Sequence, residues 1–303
     1  MKAPISRRGF LLAGAAAASV GSSTASARLS RPLATEKRNL KAVKFGMVQG
    51  SSVLEKFQLV KSLGYDGIEL DSPNGLDRQE VLDARDQTGL PIHGVVDSAH
   101  WGKPFSHPDP KVRAEGVRAL ETALNDCKAY GGSSVLVVPA VVSKSVSYRQ
   151  AWVRSRAEIA RMVPLAEELG LNIAFENVWN NFLLSPLEAA QYIDSFASPN
   201  VGAYLDVGNL VRFAWPEHWV EALGSRIMKI DVKGYSRKKQ QDEGLWKGFQ
   251  VEIGDDDCDW ASVMLALNQI GFKGWFTAEV GGGGKQRLAD IAARMDRVMA
   301  SPE

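Results

Sequence analysis

Residues 171–181 read LNIAFENVWNN, and residues 201–209 read VGAYLDVGN. In each stretch, an apolar run short enough for a buried strand ends at an acid, Glu176 or Asp206. Polar sequence that contains asparagine follows each acid. A third run, GWFTAEVGGGG at 274–284, ends in the same way at Glu279. Because the carboxyl ends of parallel strands meet at one mouth of a barrel, these acids predict a single polar site there.

The three acids also predict a metal ion. Ionised carboxylates that lie close together repel each other unless a cation lies between them. Carboxylate oxygens are common ligands of hard divalent cations, so one such ion is the simplest physical explanation of three converging acids. We therefore expect a divalent metal at the mouth of the barrel.

Outward from these three strands, the chain alternates short apolar runs with stretches typical of helices. Further strands are predicted in VKFGMV at 43–48, DGIEL at 66–70, PIHGVVD at 91–97, SVLVVPA at 134–140 and IMKIDV at 227–232. Helices are predicted from the first strand to residue 63 and at 77–88, 110–130, 148–169, 186–196, 216–223, 260–270 and 285–299. Eight strand–helix units predict an α/β fold, a (β/α)8 TIM barrel in a single domain. A doubly wound open sheet is the alternative, because counting units does not show closure.

The first 27 residues predict an export signal. They have a basic start, a short apolar stretch and a small-residue end, Ala25-Ser26-Ala27, which suits cleavage. Arg7 and Arg8 resemble the twin-arginine export motif. The alternatives are a disordered tail or an uncleaved anchor. We expect export through the twin-arginine pathway to the periplasm or the extracellular space, followed by a linker at 28–42 and the barrel at 43–303.

Net charge and cysteine content limit the classes of partner that we expect for this chain. Removal of residues 1–27 takes away Lys2, Arg7 and Arg8 and no acid, so the formal charge falls from +1 to −2. This balance argues against nucleic acid, which would require a clear basic excess. No cysteine follows the apolar run of the signal, so no stable membrane anchor is expected. Cys127 and Cys258 are predicted to be free thiols. The sequence leaves open a homo-oligomer.

Five stretches resemble the sugar phosphate isomerase/epimerase family, which has the xylose isomerase-like TIM barrel of the AP endonuclease family 2 superfamily. They are GYDGIEL at 64–70, AFENVWNNFLLSP at 174–186, YLDVGN at 204–209, IGDDDCDW at 253–260 and GFKGWFTAEV at 271–280. The resemblance covers nearly all of residues 43–299. It implies one divalent ion, manganese, magnesium or cobalt in preference to calcium or zinc. The family's ligands are Glu on strand five, Asp on strand six, His on strand seven and Glu on strand eight.

Carried over by motif, three of those ligands match Glu176, Asp206 and Glu279. The chain departs from the family at the fourth position, where Asp231 stands in place of histidine. Strand alternation places Lys229, Asp231 and Lys233 on the face toward the barrel interior or its mouth. Two interpretations stay open. Either Asp231 is the fourth metal ligand, or it pairs with Lys229 or Lys233 and water completes the site.

In the epimerases that the chain resembles, the glutamates of strands five and eight also act as acid and base on opposite faces of the sugar. The resemblance therefore implies that Glu176 and Glu279 are the catalytic pair. The implied reaction is isomerisation or epimerisation of a keto-sugar, by proton abstraction next to a metal-bound carbonyl to give an enediolate. A lyase or hydratase acting on 3-keto-glycosides is the first alternative. A non-catalytic exported sugar-binding barrel is an alternative of another class.

Polar and aromatic side chains in or just after the strands are candidates for contacts with a small-molecule sugar or glycoside. They are Glu69, His93, His100, Trp101, Asn177, Trp179, Asn209, Lys229, Lys233, Trp246 and Gln250. Aromatic faces pack against sugar rings, and a few placed polar groups orient the ligand. For Glu69 and His93, an interior residue with its polar groups satisfied is the alternative.

Overall fold

The computed structural model describes residues 39–300. The predicted signal peptide at 1–27 and most of the predicted linker at 28–42 lie outside the described residues. Within residues 39–300, no helix combines the length and the apolar character needed to cross a bilayer. Cys127 and Cys258 are both buried and free, as predicted.

Eight parallel strands form a closed barrel in chain order. They are β1 (Leu40–Lys44), β2 (Gly67–Ser72), β3 (Ile92–Asp97), β4 (Ser134–Val137), β5 (Asn172–Glu176), β6 (Val201–Asp206), β7 (Ile227–Val232) and β8 (Trp275–Ala278). Pairing of β1 with β8 closes the ring. The TIM barrel is therefore confirmed, and the open sheet is excluded.

Helices connect the strands. They are α1 (Val53–Ser62), α2 (Arg78–Thr88), α3 (Pro110–Tyr130), α4 (Tyr148–Ala160), α5 (Val163–Leu169), α6 (Pro186–Asp194), α7 (Val207–Val211), α8 (Pro216–Leu223), α9 (Arg237–Glu243), α10 (Trp260–Gln269) and α11 (Lys285–Met299). The single helix predicted at 148–169 is two helices, because Pro164 lacks an N–H and begins a new one at α5. The short helices α7 and α9 were not predicted.

The first strand lies earlier in the chain than predicted. β1 begins at Leu40, and residues 45–47 form a turn of 3-10 helix. The predicted linker therefore includes the first three residues of the strand. The boundary was misplaced because a lysine is unusual in an apolar strand, so Lys41 was assigned to the linker. In the structure, Lys41 Nζ lies 2.6 Å from Asp296 Oδ1 on α11. With the corrected boundary, Lys44 ends β1 at the same mouth as the acids.

Two apolar clusters hold the barrel together. The large one lies between the strands and the surrounding helices. The small one consists of Leu136, Ala174 and Tyr204. Ala174 and Tyr204 share the inward face of their strands with Glu176 and Asp206, which lie nearer the mouth. Toward the mouth the interior becomes polar: the Tyr204 hydroxyl lies 2.8 Å from Thr277 Oγ1 and donates to Glu69 Oε1 at 3.1 Å. The fold thus places ionisable side chains above a packed apolar base.

Candidate active site

The four acids predicted as ligands converge at the mouth. One carboxylate oxygen from each of Glu176, Asp206, Asp231 and Glu279 lies within 4.8 Å of the others. Asp206 and Asp231 face each other across the ladder of β6 and β7, and both are fully buried. Glu176 is also buried, whereas Glu279 is partly exposed. The closed ring therefore brings together acids that are up to 103 positions apart in the chain, from 176 to 279.

Lys44 is a charged residue of this site that the sequence interpretation missed. Its Nζ lies 3.0 Å from Asp231 Oδ2, 3.3 Å from Glu69 Oε2 and 3.9 Å from Glu279 Oε1. Among the described residues, Asp231 pairs with Lys44, whereas the alternative to metal ligation had paired it with Lys229 or Lys233. The strand predicted at 43–48 put Lys44 near its beginning, far from the mouth, whereas Lys44 is the last residue of β1.

Lys233 lies on the other side of the acids. Its Nζ lies 2.8 Å from Asp206 Oδ2 and 2.7 Å from Glu279 Oε2. The ammonium also lies 5.6 Å from the centre of the Phe249 ring. Burial alone would lower the pKa of Lys233, but these carboxylates, with Glu176, raise it above its ordinary value. Lys233 is therefore a permanent positive charge in the site.

The two glutamates differ in electrostatic surroundings. Burial, and then the charges of Glu279 and Asp231, raise the pKa of Glu176 well above its ordinary value. Burial would raise the pKa of Glu279 as well, but Lys44 and Lys233 beside it lower that pKa to about 2. A pair of carboxyl groups with separated pKa values is the arrangement that acid–base catalysis requires.

The four clustered carboxylates suit a divalent cation. Asp231 Oδ1 is buried without a hydrogen-bond partner among the described residues, whereas Oδ2 accepts from Lys44 at 3.0 Å. Leaving a buried charged oxygen unpaired is costly, and a cation would remove that cost. One oxygen of Asp231 is thus available to a metal ion while the other faces Lys44. Four carboxylates form the all-oxygen donor set that hard divalent ions prefer.

Two asparagines hold the acids in place. Asn177 clamps the backbone of Asp206: its Nδ2 donates to Asp206 O at 2.8 Å, and its Oδ1 accepts from Asp206 N at 2.9 Å. The backbone N–H of Asn209 donates to Asp206 Oδ1 at 2.9 Å, and its Nδ2 lies 3.4 Å from Glu176 Oε1. These bonds orient the carboxylates toward one point.

A cavity of 370 Å³ lies over the acids. It is lined by Trp101, Glu176, Val178, Trp179, Asn209, Lys233, Gly234, Trp246, Phe249, Glu279, Val280 and Gly281. Of the predicted substrate contacts, Trp101, Trp179, Asn209, Lys233 and Trp246 therefore line it, and Phe249 is an aromatic wall that the sequence interpretation missed. Aromatic faces beside a few fixed charged and amide groups suit a small polar ligand with apolar faces, such as a sugar ring.

Three predicted contacts lie in the barrel interior instead. Lys229 Nζ lies 2.9 Å from His93 Nδ1, and the His93 ring stacks on Trp275 with 4.6 Å between centroids. Burial lowers the pKa of Lys229 to about 8. Glu69 accepts from Tyr204 and pairs with Lys44. None of the three lines the cavity: Lys229 and His93 contact each other inside the barrel, and Glu69 Oε2 faces Lys44 Nζ at 3.3 Å.

Of the remaining three predicted contacts, Asn177 holds the backbone of Asp206 and does not line this cavity, and the other two lie beside the cavity rather than in its lining. His100 is buried behind Trp101, with 5.7 Å between the ring centroids, and its Nδ1 accepts from Val138 N at 3.3 Å. Burial lowers the pKa of His100 to about 4, so the ring is neutral at pH 7. Gln250 is exposed, and its Oε1 accepts from Lys247 Nζ at 3.4 Å.

Comparisons with known proteins agree with this geometry. The family model for the xylose isomerase-like TIM barrel matches residues 57–298. L-ribulose-5-phosphate 3-epimerase UlaE of Escherichia coli O1:K1 is 25% identical over 245 residues, which are 76% of this chain and 83% of that protein.

Solved structures share the fold. D-allulose 3-epimerase from Methylomonas sp., in complex with D-allulose, superposes with a TM-score of 0.65 at 21% identity, covering 87% of this chain and 95% of that chain. The 3-keto-D-glucoside 4-epimerase YcjR from E. coli superposes with a TM-score of 0.71 at 14% identity, covering 86% of this chain and 99% of that chain. At these identities the two likenesses establish the barrel architecture.

Proposed function

The chain belongs to the xylose isomerase-like TIM barrel family, and on that premise we propose that it isomerises or epimerises a keto-sugar by moving the proton next to the carbonyl. It is an enzyme of a sugar epimerase and isomerase family rather than a non-catalytic sugar-binding barrel. The observation that carries the proposal is the pair Glu176 and Glu279, which line one cavity and belong to the same cluster of four acids.

The two glutamates have different neighbours, and the difference assigns their roles. Lys233 lies 2.7 Å from Glu279 and favours its ionised form, so Glu279 is the proton acceptor. Glu176 is buried close to the charges of Glu279 and Asp231, and burial and these charges both favour the protonated form, so Glu176 is the proton donor. A sugar between them would lose a proton to one face and regain one from the other, which inverts a stereocentre.

The same four carboxylates would hold one divalent ion, and the orphaned Asp231 Oδ1 supports that assignment. Manganese, magnesium or cobalt suits this donor set, with calcium or zinc as the less favoured choices. When bound, such an ion supplies positive charge that stabilises negative charge developing on the substrate. Trp101, Trp179 and Phe249 exclude water around the sugar ring.

The relatives support a sugar substrate. Two of them are named as 3-epimerases of L-ribulose 5-phosphate and of D-allulose. The alternative of a lyase or hydratase acting on 3-keto-glycosides shares the first proton transfer. A second cavity beside the first, with room for the other part of a glycoside, supports a glycoside substrate for this alternative.

Solvent exchange tests the proposal. The mature chain, loaded with manganese, is incubated in deuterium oxide with D-allulose and, separately, with methyl 3-keto-glucoside. An epimerase or isomerase introduces deuterium next to the carbonyl and retains the glycosidic bond, whereas a lyase releases methanol. Turnover of either sugar without deuterium incorporation would refute proton abstraction.

We also propose that the chain is exported through the twin-arginine pathway and cleaved near Arg28. The supporting features are Arg7-Arg8 and the small-residue end at Ala25-Ser26-Ala27. Export should fail in the double variant Arg7→Lys/Arg8→Lys. N-terminal sequencing of protein recovered outside the cytoplasm tests cleavage, and an intact Met1 there would contradict it.

A further inference from the structure

A second cavity of 320 Å³ lies beside the first. The two cavities share four lining residues, which are Val178, Trp179, Asn209 and Trp246. The remaining lining of the second cavity comes from the segments after β5, β6 and β7, namely Asn177, Asn181, Phe182, Leu183, Leu184, Arg212, Phe213 and Leu245. Both cavities therefore open on the face of the barrel that carries the acids.

The second cavity differs chemically from the first. Its lining contains no carboxylate and no lysine, whereas the first cavity is lined by Glu176, Glu279 and Lys233. Arg212 is its only charged lining residue, and the guanidinium stacks over the Trp179 ring at 5.0 Å. Of its other lining residues, eight are aliphatic or aromatic, and three are asparagines whose side-chain amides donate to backbone carbonyls. The aliphatic and aromatic side chains can pack against an apolar or aromatic group of a ligand.

The wall between the cavities is held rigidly. Trp179 Nε1 donates to Asn209 O at 2.8 Å, and the Trp179 ring packs against Trp246 and Phe249 with centroid distances of 5.0 and 4.8 Å. Trp246 is 68% exposed and forms the outer edge of this wall. A ligand seated against Glu176 and Glu279 would reach the second cavity by passing this edge.

The far side of the second cavity contains a strained loop. Asn181 and Leu183 have φ of 59° and 53°, a conformation that costs about 1 kcal/mol or more for a residue with a side chain. Hydrogen bonds hold the loop there: Asn180 Nδ2 donates to Ala140 O at 2.7 Å, and Leu183 N donates to Tyr148 Oη at 2.8 Å. Strain maintained by buried bonds is typical of a segment that shapes a ligand site.

We propose that the second cavity binds the aglycone of a glycoside whose oxidised sugar ring occupies the first cavity. The substrate class is then a keto-glycoside with an apolar or aromatic aglycone. This inference rests on the proposed function, because it requires the sugar to lie beside Glu176 and Glu279. The shared wall of Trp179 and Trp246 is the argument for one ligand across both cavities.

Binding measurements on the mature, metal-loaded chain test the proposal. Phenyl and methyl 3-keto-β-D-glucopyranoside carry the same oxidised sugar and differ in the aglycone. We expect the phenyl compound to bind about tenfold more tightly, because it buries a ring in the second cavity. Phe213→Ala and Leu245→Ala should abolish this preference and leave the affinity for the methyl compound unchanged. Leu187→Ala, an exposed residue outside both cavities, is the control.

Equal affinities for the two glucosides, no binding of the phenyl compound at millimolar concentration, or a preference that survives both substitutions would overturn the proposal. A Phe213→Ala variant that changes the oligomeric state and leaves the preference intact would instead assign the cavity to an interface between copies, which also overturns it. Solvent exchange into keto-sugars is measured independently, so failure of the aglycone site is distinguishable from failure of the proposed reaction.

Discussion

Two strand-end aspartates, Asp206 on β6 and Asp97 on β3, share a local pattern and have different surroundings. Both are fully buried. Asp206 Oδ1 accepts from the N–H of Asn209 at 2.9 Å, and Asp97 Oδ1 accepts from the N–H of Ala99 at 3.0 Å. The second oxygen of Asp206 faces Lys233 at 2.8 Å, whereas that of Asp97 has no partner among the described residues.

The comparison shows what makes a strand-end acid functional. Burial raises the pKa of both groups, to about 6 for Asp206, where Lys233 opposes the shift, and to about 7 for Asp97. One carboxylate oxygen of Asp206 also lies within 4.8 Å of an oxygen from each of three other acids, and Asp97 is not part of that cluster. A strand-end acid belongs to the site when it clusters with other acids beside a lysine ammonium group. Position at a strand end alone is not enough.

The largest effect is expected on turnover. Glu176→Gln and Glu279→Gln should each lower kcat by about 1,000-fold or more at saturating manganese, because each removes a group that transfers a proton. Asp97→Asn should leave kcat within a few-fold of the parent. Steady-state kinetics on the three variants check this. A glutamine variant that keeps near-full activity with metal bound would remove that glutamate from the mechanism.

Metal binding should separate the two aspartates next. Asp206→Ala removes an oxygen ligand and should weaken divalent-ion affinity by at least about 100-fold, whereas Asp97→Ala should leave it unchanged. Titration calorimetry with manganese and metal analysis of the purified chains provide the measurement. Equal metal content in the two variants would contradict the assignment of the cluster as the metal site.

Substitution of Lys44 tests how much its ammonium group stabilises the buried acids beside it. Lys44→Met leaves Asp231 and Glu69 without their ammonium partner, so metal-free protein should lose about 2 kcal/mol in the free energy of unfolding. Manganese should restore more stability in this variant than in the parent. Denaturant unfolding with and without metal measures both effects. Lys44→Arg, which keeps the charge, is the matched control, and an equal loss there would attribute the effect to packing.

The smallest effect is a pH dependence at Asp97. Its carboxyl has a pKa of about 7 in the folded chain and about 4 when unfolded, so the folded state binds more protons between these values. Stability from this group therefore falls as pH rises from about 4 to 7. Asp97→Asn cannot ionise and should gain about 1 kcal/mol relative to the parent between pH 4.5 and pH 5.5. If the stability difference between variant and parent stayed constant across that range, folding would not raise the pKa of Asp97.

Much of the fold followed from local patterns. The strands predicted at 172–176, 201–206 and 227–232 have those bounds in the structure, and so do the helices predicted at 110–130, 216–223 and 285–299. Alternation also placed Asp231 and Lys233 on the inner face correctly. Prediction failed where a polar residue is satisfied by a distant partner, as at Lys41, and where a proline divides a helix, as at Pro164.

By itself, the sequence determined the eight strand–helix units and the placement of four acids at the ends of four strands. These features depend on residues a few positions apart, since side-chain alternation and helix periodicity are local. The tertiary structure decided the closure of the ring, the pairing of Lys44 with Asp231 and the shared wall of the two cavities. Lys44 and Asp231 are 187 positions apart, and only closure of β1 against β8 brings their charges within 3.0 Å.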